Sequence, residues 1–250
     1  MKRNIVLFLA LLMVVGTMCC FGQENIRLSF NANGEFKIVQ FTDLHWNNNS
    51  SGCAETVAVI QHVLSTEKPD LAMLTGDVVT SPPARDGWLA VARIFEEVKV
   101  PWAVVLGNHD AETGVTREEV FDIIENLPYF IGKKGEKMTG CGNYALPIIS
   151  SDGAKTVSVL YCLDSNNKPS AHKYGHYDWI HFDQITWYRK ASEMYTVENN
   201  NQPLPSLAFF HIPILEFKNI ENKETTIGTN MEGVASSEIN SGLFSSFLEK

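Results

Sequence analysis

Apolar positions in the first half of the chain fall into short continuous runs, each followed by polar residues and then by a segment of helical spacing. Residues 36–41 predict a strand that runs straight into Thr42, Asp43, Leu44 and His45, and Asn, Ser and Gly fill a loop over 47–52. Over 54–66, Val57, Ile60, Val63 and Leu64 recur at helical spacing until Pro69 stops the helix. Residues 71–74 are all apolar, as expected of a strand covered on both faces, and end at Thr75-Gly76-Asp77. Trp88, Val91, Ala92 and Phe95 form one face of a helix over 86–98. A third apolar strand, 102–106, ends at Gly107-Asn108-His109-Asp110. Thr116 and Glu119 make an N-terminal box for a helix reaching 126, with Val120, Ile123, Ile124 and Leu127 inward. Strand and helix alternate three times, which predicts a parallel sheet under helices.

The second half reads differently. Residues 132–142 are a Gly- and Lys-rich surface loop, and 143–149 with 156–163 form a hairpin about Ser150–Gly153, so a second sheet is expected. A long polar loop covers 164–176, a helix covers 183–195 with Ile185, Tyr188 and Ser192 on one side, and a strand over 207–210 leads into His211. Upstream, an Asn-Gly turn at 33–34 lies between two short strand pieces.

Charge narrows the partners. The chain has 250 residues with 20 basic and 29 acidic side chains, a formal charge of −9. Lys2 and Arg3 precede an apolar run over 5–15, shorter than the roughly 20 residues that span a bilayer. With small residues at Cys20 and Gly22, residues 1–22 are expected to be a secretory signal peptide and 23–250 one domain. The product is then secreted or periplasmic with no membrane span left; an uncleaved N-terminal anchor and a lipid anchor at Cys19 or Cys20 are the alternatives. Without Lys2 and Arg3 the balance is 18 to 29, or −11, and no basic stripe exists to replace phosphate counterions. A nucleic-acid polymer is therefore not an expected partner. Cys53, Cys141 and Cys162 are too few and too far apart for a disulfide scaffold or a thiolate metal site.

The chemistry is carried by four strand ends. An open α/β sheet places its ligand crevice at the carboxyl ends of its strands. There the chain offers Asp43, His45, Asp77, Asn108 and His211, a mix of carboxylate, carboxamide and imidazole suited to divalent cations. Asp43 and His45, two apart beyond a strand, can turn toward one cation. Asp77 has two oxygens with which to bridge two cations, and Asn108 and His211 can serve the second. Two such cations would polarise a phosphoryl oxygen and generate a bridging hydroxide as nucleophile.

Together, Asp43-x-His45, Gly76-Asp77, Gly107-Asn108-His109-Asp110 and the later Phe210-His211 block resemble the calcineurin-like metallophosphoesterases, specifically the purple-acid-phosphatase-like group of plants, fungi and bacteria. The resemblance runs from residue 36 to the end. It implies a four-layer α/β/β/α sandwich and two metal ions drawn from manganese, zinc or iron. It places Asp43, His45 and Asp77 on one ion and Asp77, Asn108 and His211 on the other. His109 is then the catalytic histidine, stabilising the phosphoryl group or protonating the leaving oxygen, and Asp110 is expected to hold its other ring nitrogen. A small phosphoester is the implied substrate, with His172, Tyr174 and His176 as a candidate rim. Purple acid phosphatases carry a tyrosine where this chain has Thr80, so an iron–tyrosinate is not expected. The family also closes its site with a Gly-His-x-His run that does not occur up to Lys250. The domain is accordingly expected to lack its last strands, and a non-catalytic relic or binding protein is the alternative reading.

Overall fold

The computed structural model describes residues 26–220, 224–229 and 231–250; the signal-peptide reading of 1–22, with Cys19 and Cys20, lies outside them. Two sheets carry the architecture. One is wholly parallel, with β2 (Ile38–Phe41), β3 (Leu71–Thr75) and β4 (Trp102–Val105) in the order β2-β3-β4. The other runs β1-β5-β6-β7, formed by β1 (Leu28–Ser29), β5 (Tyr144–Ile149), β6 (Thr156–Cys162) and β7 (Ser206–Phe209). Central β3 is buried at every position, so its sequence is uniformly apolar up to Thr75. Parallel register, with Ile38 opposite Leu71 and Ala72 opposite Trp102, brings the ends of all three strands to one margin.

Helices α1 (Cys53–Glu67), α2 (Ala84–Val98) and α3 (Arg117–Ile124) connect or follow these strands. Trp88, Val91 and Phe95 of α2 and Val120, Phe121 and Ile124 of α3 enter one core with β3 and β4. That core continues into Tyr144, Leu146, Ile148, Leu160 and Cys162 of the second sheet, so the two sheets pack face to face. The alternate residues Val159 and Tyr161, with Leu163 just beyond β6, point the other way, into a separate core with Ile185 and Tyr188 of α4 (Phe182–Glu198) and Leu243 of α5 (Leu243–Glu249). Period-two alternation along β6 thus feeds two cores. The layers are helix, sheet, sheet, helix, as the resemblance implied.

Thr116 accepts from the Glu119 amide and the Glu119 side chain accepts from the Thr116 amide, the reciprocal cap read from the sequence. The hairpin forms as an antiparallel β5–β6 pair. The Asn-Gly turn forms too, but its flanks part company: β1 joins β5 in parallel, while β2 enters the other sheet. Tyr144 ties the layers together, its hydroxyl donating to the Val104 carbonyl at 2.7 Å and accepting from the Val104 amide at 3.1 Å. The thiols of Cys53, Cys141 and Cys162 are each free, and burial pushes those of Cys141 and Cys162 up to about 12. Among the described residues no helix is long and apolar enough to cross a membrane.

Candidate metal centre

Asp43, His45, Asp77 and His211 come together beyond the ends of β2, β3 and β7, and backbone conformation explains how. Beyond β2 and β3 the chains stay paired, with Asp43 N donating to Gly76 O at 3.0 Å and His45 N to Asp77 O at 2.9 Å. Asp43, His45 and Asp77 all adopt left-handed backbone, at φ of 52°, 45° and 50°. Asp, Asn and His tolerate this region better than most residues, at a cost that recurs where side chains must be aimed at a site. Their ligand atoms lie within 4.8 Å of one another. Asp77 is the centre of the group: its Oδ2 is 3.9 Å from His45 Nε2, 4.0 Å from His109 Nε2 and 3.4 Å from His211 Nε2.

Two glycines make room for that carboxylate. A Cβ on Gly107 would stand 2.2 Å from Asp77 Oδ1 and 2.4 Å from its amide nitrogen, and one on Gly76 would meet His211 Nδ1 at 2.5 Å and Gly107 Cα at 2.7 Å. The Gly-Asp and Gly-Asn pairs are therefore packing requirements at the site. We expect Gly107→Ala to displace Asp77, costing about 1–3 kcal/mol as an overpacked contact and sharply weakening cation binding, checked by thermal unfolding and Mn²⁺ titration calorimetry.

Electrostatics favour a charged Asp77. Burial, to 3 % exposure, raises its pKa, but the contact with His211, the His109 amide at 2.8 Å and the neighbouring imidazoles together bring it below the ordinary carboxylate range. His211 moves the other way. Burial lowers its pKa, yet Asp77 and the Thr75 carbonyl outweigh that and raise it. The carbonyl can only accept, so His211 Nδ1, 2.7 Å from Thr75 O, is the donor and Nε2 faces Asp77. A neutral imidazole so tethered presents a lone pair to a cation, the usual second partner of a ligating histidine. Asn108, 9 % exposed, follows Gly107 on the same turn. The donor set of Asp43, His45, Asp77 and His211, pre-aimed by backbone and by Thr75, fits a divalent cation.

His109 and Asp110 part at this point. Asp110 is fully buried, and its carboxylate accepts the amides of Val78, Val79 and Gly107 at 2.8, 3.0 and 2.8 Å. Burial raises its pKa despite those bonds. It staples the β3 turn to the β4 turn, and among the described residues no hydrogen bond or ion pair joins it to the His109 ring, whose Nδ1 is taken by another carboxylate, so the expected imidazole-holding role is corrected. Glu112 fills that role, its Oε2 2.6 Å from His109 Nδ1.

Sequence reasoning also missed Arg117. Its guanidinium forms a fork on the buried Asp164 carboxylate, with Nε to Oδ2 at 2.7 Å and Nη2 against Oδ1, and donates to the carbonyls of Gly107 at 2.8 Å and Leu106 at 3.2 Å. The Gly107–His109 turn is thus braced from the other sheet. Asp164 is in turn held by the Cys141 amide at 2.8 Å, and its own amide donates to Asn143 Oδ1 at 3.0 Å. His172 and His176 are exposed and Tyr174 stacks edge-on to Trp179 at 5.8 Å. Among the described residues no hydrogen bond or ion pair joins any of these three to Asp77 or its neighbours, and the loop reaches the site through Lys168, 2.8 Å from Glu112.

The calcineurin-like phosphoesterase profile matches residues 36–230, which hold every one of the strand-end residues above. The chain belongs to the calcineurin-like phosphoesterase family. Among similar proteins are "Probable inactive purple acid phosphatase 29" of Arabidopsis thaliana, 31 % identical over 100 % of this chain and 74 % of that protein, and "Probable inactive purple acid phosphatase 14" of the same plant, 30 % identical over 92 % and 66 %. "Phosphatase DCR2" of Saccharomyces cerevisiae is 34 % identical over 86 % of this chain and 42 % of its own length. A dimetal phosphatase from Danio rerio shares the fold, with a TM-score of 0.52 at 12 % identity, covering 72 % of this chain and 70 % of that one. This calcineurin-like phosphoesterase chain is therefore of the metallophosphoesterase fold, with the metal-binding character of its family.

Proposed function

We propose that the chain hydrolyses a small phosphoester at a two-cation site. The observation that carries this reading is the convergence of Asp43, His45 and His211 around the buried Asp77 carboxylate. Asp43, His45 and Asp77 would hold one cation and Asp77, Asn108 and His211 the other, with manganese, zinc or iron compatible with these oxygen and nitrogen donors. Bound cations supply Lewis acidity toward a phosphoryl oxygen and lower the pKa of water. The chain's own residues supply orientation and a proton. Gly76 and Gly107 seat Asp77, Arg117 braces the turn, and His109, when its ring is doubly protonated, gives the Nε2 proton to the leaving oxygen while Nδ1–H stays on Glu112. The net charge of −9 supports a small substrate over a nucleic-acid polymer. The charged start and short apolar run of residues 1–22 support secretion or a periplasmic location.

A second reading has a specific support: both Arabidopsis relatives bear "probable inactive" in their names. On it, the chain keeps the fold and binds a cation or phosphoester without turnover. Steady-state hydrolysis of an aryl phosphate with Mn²⁺ separates the two. On the hydrolase reading, His109→Ala lowers kcat by about 10²–10⁴-fold, the range of a positioned acid or base, with Mn²⁺ affinity unchanged by calorimetry. Turnover equal to wild type in that variant removes His109 from the chemistry, and no turnover in wild type favours the second reading.

A further inference from the structure

Glu112 lies one turn beyond His109, between β4 and α3, and its carboxylate is shared between two sheets. The Glu112 amide donates to the His109 carbonyl at 3.0 Å, closing a turn that brings the two side chains together. Oε2 then lies 2.6 Å from His109 Nδ1, and Oε1 accepts from Lys168 Nζ at 2.8 Å. Lys168 comes from the loop after β6, in the four-stranded sheet. The Lys168 hydrogen bond, followed by that of His109, keeps Glu112 below the ordinary carboxylate range. An ionised carboxylate only accepts, so His109 Nδ1 carries the hydrogen and Nε2 is the nitrogen turned to Asp77, 4.0 Å away.

We propose that Glu112 is the positioning residue that fixes the tautomer and rotation of His109, and that Lys168 fixes Glu112. The functional part of this inference rests on the hydrolase reading above; the tautomer part does not. A carboxylate behind an imidazole of this kind fixes which ring nitrogen faces the site. The loop of 165–177 contains Lys168 and Lys173 and no acidic residue, so it sets no like charge against Glu112.

Long-range ¹H–¹⁵N spectra of the full metal-free chain test the arrangement directly. Wild-type His109 is expected in the Nδ1–H form. Glu112→Ala is expected to release it to the Nε2–H form that free imidazole side chains favour. With an aryl phosphate and Mn²⁺, Glu112→Ala should lose about 10–100-fold in kcat, as outer partners of site residues do, while KM and the Mn²⁺ dissociation constant stay within about twofold. Glu112→Gln, whose amide oxygen still accepts from Nδ1–H, should recover most of that loss. Lys168→Met should cost less, and nothing further in the Glu112→Ala background. An unchanged tautomer in Glu112→Ala overturns the proposal, as does a Gln variant no better than Ala. A wild-type chain with the Nδ1–H ring, lost in Glu112→Ala, but no turnover would sink the hydrolase reading and leave the positioning of His109 upheld.

Discussion

Asp77→Asn removes divalent-cation binding from this chain and leaves the fold standing. Asn keeps the volume of Asp77 and an oxygen for the His109 amide, 2.8 Å away, but not the charge that His45, His109 and His211 surround. The loss in Mn²⁺ affinity should exceed the roughly 10–100-fold typical of groups that only support a ligand. Thermal unfolding reads this simply. Wild type at about 100 times its dissociation constant gains on the order of 2.7 kcal/mol from a bound ion, whereas the variant gains nothing. A metal-induced rise in Tm equal to that of wild type would take Asp77 out of the centre of the site. The same residue sets a pH signature in the metal-free chain. Asp77 has a lowered pKa, so its contribution is present above the ordinary carboxylate range and is lost as pH falls through the lowered value. His211 has a raised pKa, so its contribution is present below the ordinary histidine value and is lost as pH rises through the raised one. Metal-free wild type is thus expected to be most stable in mildly acidic solution, and Asp77→Asn to flatten that maximum.

Arg117→Ala is the variant expected to damage the fold most. Its side chain is mostly buried and Asp164 wholly so. Removing one member strands a carboxylate inside the protein, a change that costs about 3–5 kcal/mol for buried pairs. In a chain of this size that corresponds to a Tm lower by on the order of 10 °C. The carbonyls of Leu106 and Gly107 lose their donor at the same time, so Mn²⁺ affinity should fall along with stability. Arg117→Lys restores charge without the two-pronged geometry and should recover only part of both. An unfolding midpoint within 2 °C or so of wild type in Arg117→Ala would mean the pair contributes little to stability.

The strands and their chemistry were legible because buried parallel strands leave no polar positions. The runs ending at Thr75 and Leu106 stand out, and the Gly-Asp and Gly-Asn pairs that follow them fall at the site. Glycine was legible in position but not in purpose: the clash of a Cβ at Gly107 with Asp77 is a contact between residues 30 apart. The reading failed where direction mattered. Asp110 adjoins His109 in sequence, yet beyond a strand neighbouring side chains diverge, and Asp110 turns inward to three amides while Glu112 returns to the ring. Arg117 looked like the first residue of a capped helix, and nothing local signals a partner at Asp164. The same holds for β1, whose two residues pair with β5 across more than a hundred positions, and for α5, too short to show a period.

The Tyr144 hydroxyl has a consequence for how copies of this protein meet. By taking both the amide and the carbonyl of Val104, it blunts the outer margin of β4, where an incoming strand would otherwise find a vacant ladder. Self-adhesion by strand addition, in crowded or partly unfolded samples, is therefore disfavoured along β4 at Val104.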